Sequence, residues 1–411
     1  MSKIAYRISL TTLSPMLLND EPIEGVVNIY KSLPYITGSS LRGAFIELWK
    51  GKGLQESEMT EEIVRVFGPN GIQFENAYLE NSYPLPVSAQ TCKSSPGFLY
   101  EKDAHGVKDT LLKQYINTLN FEIDSLTCRH DNCKQMLKPY EGYVYERYDS
   151  FHDKESYEKV NPKYMKTGHI GIHPITQTHI DGRLFFSEAI NIGSKFDTLV
   201  HIPNKEIEKE FLEIIQEQDE NQIIRIGSKK TSGNGLVEIS DVTVWNKLIP
   251  SDYYDEINDS SIEKRVLALQ EIIGKLQKPF QKSKLTERLY FTLTFVSDAI
   301  FLDDFFCYQN ELNPILLSEQ SEMDFTFCTL DFCNVKMKRI SGWNQKWGTA
   351  TEECFAVEKG STYLFSSPLS YQDEIMKQLT KLEQIGIGER RNEGFGKLIV
   401  CHPFHLKIEE V

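Results

Sequence analysis

One ten-residue pattern occurs twice in this chain, and any fold must accommodate both copies. The first is Ile226-Gly227-Ser228-Lys229-Lys230-Thr231-Ser232-Gly233-Asn234-Gly235. The second is Ile387-Gly388-Glu389-Arg390-Arg391-Asn392-Glu393-Gly394-Phe395-Gly396. Both fit I-G-x-[KR]-[KR]-x-x-G-x-G without a gap. Their flanks agree as well. A stretch of helical spacing precedes each copy, Glu206 to Gln216 and Asp373 to Gln384, and an apolar run follows, Leu236 to Ile239 and Leu398 to Val400. Repeated units of this kind imply repeated structure.

The repeat divides the chain. Its 411 residues exceed the usual size of one domain. The first domain is read as residues 1–248 and the second as 287–411, each closing on a glycine loop and a strand. Each also opens on an alternating run, Ile4 to Leu13 and Arg288 to Phe295. Residues 249–286 form a polar linker region in which Ile262 to Leu276 has helical spacing. A turn-rich stretch, about residues 70–195, reads as an insertion in the first domain. Strands and helices in this order predict an α+β sandwich.

The loops suit a phosphate backbone. Gly227, Gly233, Gly235, Gly388, Gly394 and Gly396 allow close approach and positive φ. Exposed N–H groups then form an anion nest, and Lys229, Lys230, Arg390 and Arg391 add charge that grips phosphates without reading sequence. A tight helix-to-strand turn with solvated cations is the plainer alternative. Neither copy follows a strand and opens a helix, so neither is a dinucleotide fingerprint. The net charge of −14 argues against a general nucleic-acid coat but allows a local basic groove. A further helix start lies at Gly38-Ser39-Ser40-Leu41-Arg42, with Ser39 or Ser40 as the expected N-cap and phosphate as a fitting ligand.

Three segments carry a family resemblance. The loop from Gly386 to Gly396 resembles the signature of the RAMP superfamily of CRISPR proteins, and Pro34 to Phe45 resembles the segment opening the first helix in its type III members. His169 to Ile172, Gly182 to Phe185 and Ser341 to Asn344 together resemble the type III-D (Csx-ten) group. The resemblance implies two ferredoxin-like (RRM-like) domains, a CRISPR guide RNA and other type III effector subunits as partners, and target RNA as a possible further one. It implies RNA contacts at Ser39, Ser40, Leu41, Arg42 and the two loops, near the guide's 5′ handle. An enzyme is the alternative. Asp20 stands where target-cleaving relatives carry an aspartate, though its spacing to Gly38 is displaced. His169, in a cluster with His173 and His179, is the candidate base of a guide-processing RNase.

Cys128 and Cys133 form a C-x₄-C pair in a polar stretch. With Cys92 and His105 they are expected to make a four-ligand structural zinc site, for which His130 is a substitute ligand, unlinked surface or buried cysteines being the plainer alternative. Cys328 and Cys333 have the same spacing but flank a strand-like run and read as core. Cys401-His402-Pro403-Phe404-His405 reads as structural, and Trp343 and Trp347 as either base-stacking or packing residues. No run of about 18 apolar residues exists, so nothing is expected to span a membrane, and the chain reads as cytoplasmic.

Overall fold

The computed structural model describes residues 4–18, 29–50, 56–119, 127–130, 133–149, 154–216, 222–245, 261–277, 288–344 and 348–406. It is a mixed α+β structure. Its first half runs β1 (Ile4–Thr12), α1 (Gly38–Lys50), β2 (Gln73–Phe74), β3 (Lys195–Ile202), α2 (Lys205–Gln216) and β4 (Leu236–Trp245). After α3 (Ile262–Gln277), the second half runs β5 (Arg288–Phe295), α4 (Pro314–Ser321), β6 (Thr329–Asn334), β7 (Thr362–Pro368), α5 (Gln372–Ile385) and β8 (Leu398–Val400). In both halves the elements just named come in a β-α-β-β-α-β order, with further strands and helices between them. The sheet order is β4-β1-β3-β2 in one, extended by Ile223–Arg225 beside β4 and Tyr78–Leu79 beside β3, and β8-β5-β7-β6 in the other.

The duplication extends to individual hydrogen bonds. After β1 the chain pairs Met16 with Ile190, and after β5 it pairs Ala299 with Val357. The turn into β3 returns Gly193 N–H to Thr12 O at 2.8 Å, and the turn into β7 returns Gly360 N–H to Phe295 O at 2.6 Å.

Each half has its own core. Ile8, Leu10, Phe45, Phe74, Val200 and Phe211 fill the first, between the sheet and its helices. Phe291, Leu293, Phe325, Phe365, Leu379 and Leu398 fill the second. Helix α3, expected as a linker, is packed: Ile262, Val266, Leu269 and Ile273 lie in the second core. Arg265 explains why it cannot swing free. Its guanidinium grips Glu383 of α5 at 2.9 and 3.0 Å and donates to Val400 O at 2.6 Å, all buried. Removing one member would strand a buried charge.

The segment between β2 and β3, expected as an insertion, bridges to the second half. It builds a small core from Tyr83, Leu85, Phe98, Val107, Val144 and Tyr157, which also takes in Phe404 from the end of the chain. Its helix Leu111–Thr118 places Leu112, Tyr115 and Ile116 in the second core. His405 holds Asp109 at 2.8 Å and Thr294 at 2.9 Å, which gives the Cys401–His405 run a structural role. Cys328 is buried as expected, but Cys333 is exposed, because β6 lies at the edge of its sheet. Among the described residues no helix is long and apolar enough to cross a membrane.

Glu75, just after β2, ties the halves electrostatically. It meets Lys397 of the second half at 2.8 Å and His201 at 2.6 Å. Burial alone would raise its pKa, but the Lys397 ammonium and His201 hold it at about 2, below its ordinary 4.5. A depressed carboxylate pKa stabilises the fold fully above the unfolded value and loses that effect as pH falls through the folded one. Urea titrations between pH 7 and pH 2 are therefore expected to show wild type losing up to about 3 kcal/mol that Glu75→Gln never has. Parallel pH profiles for the two proteins would contradict this ion pair.

Candidate nucleic-acid groove and metal centre

The two glycine loops share one backbone. Gly227 and Gly388 have φ 91° and 88°, Lys229 and Arg390 both 56°, Gly233 and Gly394 85° and 90°, and Gly235 and Gly396 77° and 74°. Matching bonds hold them. Ile226 N–H donates to Gly235 O at 2.8 Å, and Ile387 N–H to Gly396 O at 2.9 Å. Ser228 N–H reaches Leu17 O at 2.8 Å, and Glu389 N–H reaches Ile300 O at 3.0 Å. A Cβ on Gly235 would lie 2.0 Å from Ile226 O, and one on Gly396 1.7 Å from Ile387 O. These last glycines close the loop against its own backbone. Lys229 and Arg390 sit in a left-handed conformation that non-glycine residues adopt at a cost, which marks both sites as over-determined by their surroundings.

Their environments differ. Thr231, Ser232 and Gly233 of the first loop are exposed. The second loop is seated against the first half. Asn392 is buried and donates to Phe67 O at 3.0 Å. Glu393 meets Arg42 at 3.5 Å and also pairs with Arg390. A Cβ on Gly38 would lie 2.2 Å from Phe74 O and 2.7 Å from Glu393 O. Gly38 is therefore required by this close approach. The expected N-cap is corrected too. Thr37 caps α1, its hydroxyl accepting from Ser40 N–H at 3.2 Å, while the Ser39 and Ser40 hydroxyls bond to Thr37 Oγ1 at 3.0 and 2.8 Å. Thr37 precedes the glycine and so leaves both serines on the first turn.

The seating makes one groove, of ≈1360 Å³, from parts far apart in sequence. Its walls include Ser39, Ser40 and Arg42 from α1, Gly227, Ser228 and Lys230 from the first loop, and Arg390, Glu393 and Gly394 from the second. Seven cations line it against three carboxylates, Glu47, Asp298 and Glu393. Burial pushes the Lys230 ammonium down from its ordinary pKa, and Arg225 adds to this while Glu47 opposes it. Arg42 is pushed down by burial, with Glu393 opposing and Arg390 reinforcing.

Other expected RNA-binding residues lie elsewhere. Leu41 is fully buried in the first core, because it points to the sheet face of α1. Gly233, Gly235, Gly388 and Gly396 do not line the groove, and Arg391 borders a separate small cleft beside Glu75 and Lys397. Lys229 turns away onto the long hairpin of strands Tyr164–Ile172 and His179–Ile190. There its ammonium stacks 5.3 Å from the Phe185 ring and 3.3 Å from His169 Nε2. His169 itself stacks on Phe185 at 4.7 Å and shares a hydrogen bond with Ser187 at 2.9 Å. Asp20 and Trp347 lie outside the described residues.

The sequence pattern did not single out four of the groove cations: Lys50, Arg225, Lys338 and Arg339. Lys338 and Arg339 stand on strand Met337–Ile340, which pairs with Cys354–Val357. They form an adjacent cationic pair like those in the loops, which was the available signal. Ser341 and Gly342 also line the groove.

A second cluster lies in the insertion. Ligand atoms of Cys92, His105, Cys128 and Cys133 all fall within 4.8 Å of one another. Cys92 Sγ is 3.8 Å from Cys133 Sγ, and Cys128 Sγ is 3.4 Å from His105 Nδ1. Three short strands present them, with Cys92 paired opposite Leu137, and a knuckle closes where Lys134 N–H donates to Cys128 O at 2.9 Å. Burial raises the Cys92 thiol, but the Ser94 hydroxyl and the Ser95 and Ser94 N–H groups overcome it and hold it at about 6. Burial raises Cys128. Three thiols and an imidazole in this volume can hold a metal ion with closed tetrahedral geometry. His130 stacks on His105 at 4.5 Å and is not part of this donor set.

No curated protein matches the chain. Among solved structures, a chain of a type III-B Cmr-beta complex bound to cognate target RNA is 13% identical, over 96% of this chain and 96% of that one, with a TM-score of 0.41. A Cas6 product complex is 9% identical, over 97% of this chain and 100% of that one, with a TM-score of 0.40. A model of the RAMP superfamily matches residues 9–238, from β1 through the first glycine loop into β4, which is more than half of the 411 residues. The chain therefore belongs to the RAMP superfamily.

Proposed function

We propose that this chain is a guide-RNA-binding subunit of a type III CRISPR ribonucleoprotein, with each half a ferredoxin-like domain. One observation carries the reading. Two copies of one cationic loop, and the start of α1, line a single groove with seven cations in a chain of net charge −14. Such a groove suits a sugar–phosphate strand, which is gripped by charge and backbone N–H groups irrespective of sequence. Lys230, Arg225 and the Ser39–Ser40 turn hold one stretch of phosphates. Arg42, Arg390, Lys338 and Arg339 hold the next. Placement near the guide's 5′ handle, docking of other effector subunits, contact with target RNA and membership of the type III-D group belong to the same reading. The segments His169–Ile172, Gly182–Phe185 and Ser341–Asn344 support the type III-D assignment, and the resemblance to two-domain members of the superfamily supports the rest. RNA binding of this kind needs no catalytic group.

The insertion's four ligands are read as a structural zinc site. Zinc would supply cross-linking there, in place of the larger apolar core that so polar a segment lacks.

Lys229→Ala/Lys230→Ala and Arg390→Ala/Arg391→Ala are expected to weaken guide-RNA binding. Each phosphate interaction removed should flatten the slope of log affinity against log salt by about 0.7. Most of the effect is expected from Lys230 and Arg390. Filter binding from low to high salt reads it, and unchanged affinity in both variants would contradict the groove assignment.

Elemental analysis of purified chain is expected to find one zinc ion per molecule, reduced in Cys128→Ser with earlier thermal unfolding. A metal-free protein that melts as the wild type does would refute the zinc site.

A further inference from the structure

The segment after β5 displays two aromatic side chains that neither core nor groove uses. Phe305 is 85% exposed and Phe306 82%. Their turn is tightly built. Asp303 Oδ1 accepts the N–H groups of Phe305 and Cys307, both at 2.9 Å, and Oδ2 accepts from Gln309 at 2.7 Å. Phe306 N–H donates to Asp303 O at 2.9 Å, and Leu302 pairs with Tyr308 across the base. Gln320 of α4 anchors Leu302 O at 3.0 Å. Phe306 is held at φ +60°, an unfavourable value for an aromatic residue. A preorganised, strained turn that presents two adjacent phenylalanines to solvent has the form of an interface anchor. Rigid aromatics bind at little entropic cost, and they dominate interface energetics.

Charge narrows the partner. Residues 289 to 335 contain eight carboxylates and no Lys, Arg or His. Asp304 on the turn, with Glu319 and Glu322 at and just beyond the end of α4, is exposed. RNA would have to bring its phosphates against these carboxylates, whereas a basic protein surface is attracted to them. We infer that this turn is a protein docking site, taking a neighbouring subunit that offers an apolar pocket for Phe305 and Phe306 within a rim of Lys and Arg. The inference deepens the proposed function and rests on it for the identity of the assembly. The RNA groove and the docking turn then divide the work: Phe305 and Phe306 do not line the groove.

The test is reconstitution of the effector complex by co-expressing the full chain with the other subunits and guide RNA from its own host. Phe305→Ala/Phe306→Ala is expected to melt as the wild type does and to bind guide RNA with unchanged affinity. Its recovery in the assembled complex should fall at least about tenfold. Asp304→Lys is expected to lower recovery as well, with the loss smaller at high salt. In the assembled complex, Phe305→p-benzoylphenylalanine should photo-crosslink to a protein chain, at a segment rich in Lys or Arg. Undiminished recovery of the double variant would overturn the proposal, and so would crosslinks to RNA. Wild-type chain that assembles but binds no guide RNA alone would count against the groove and leave the docking readouts to stand.

Discussion

The seating of the second glycine loop on the first turn of α1 joins two similar halves around one cation-lined groove. Asn392 reaches Phe67 O, Glu393 meets Arg42, and Gly394 lies against Gly38 and Phe74. This seating requires the absence of a Cβ at Gly38, where any side chain would collide with backbone on two sides. The same close approach brings Gly394 of the second loop onto Gly38 and Phe74, so that both loops line one groove. Without it, each half would carry a short cationic turn of modest value, since isolated surface charges bind weakly in salt.

The duplication is one of backbone geometry and not of surroundings. Both loops share their φ values and closing bonds. The first leaves its 3₁₀ turn in solvent, with Lys230 in the groove and Lys229 on Phe185. The second uses its own turn to bind the first half, and Glu393 partly neutralises Arg390 and Arg42. One copy keeps its turn open to solvent, and the other spends its turn on contacts with the first half while its Arg390 still lines the groove. Ile300 and Leu17 accept the same loop bond, so in sequence register Asp303 corresponds to Asp20. In the second half that aspartate builds a turn.

Much of this was legible in the sequence because it is local. The loop pattern, the helices before it and the strands after it depend on neighbours in the chain, and glycines at fixed offsets announce their φ. The cluster of Cys92, His105, Cys128 and Cys133 was legible because cysteines in a polar stretch have few other uses. What escaped depends on distant partners. Asn392 bonds Phe67 from far along the chain, and nothing near either residue signals it. Arg225 and Lys50 are single cations on separate elements, joined to the groove only by folding. Thr37 displaced the serines as cap because the close approach at Gly38 sets where the helix begins. The burial of α3 was hidden by its polar surroundings, although Arg265 needed a buried carboxylate to lie where it does.

Hydrogen–deuterium exchange of the full chain with and without guide RNA tests the central claim most directly. The account predicts joint protection of three separated segments, residues 37–43, 226–235 and 386–396, and little change at the turn bearing Phe305. Protection confined to other surfaces, or to one loop with the opposite wall of the groove unchanged, would contradict it.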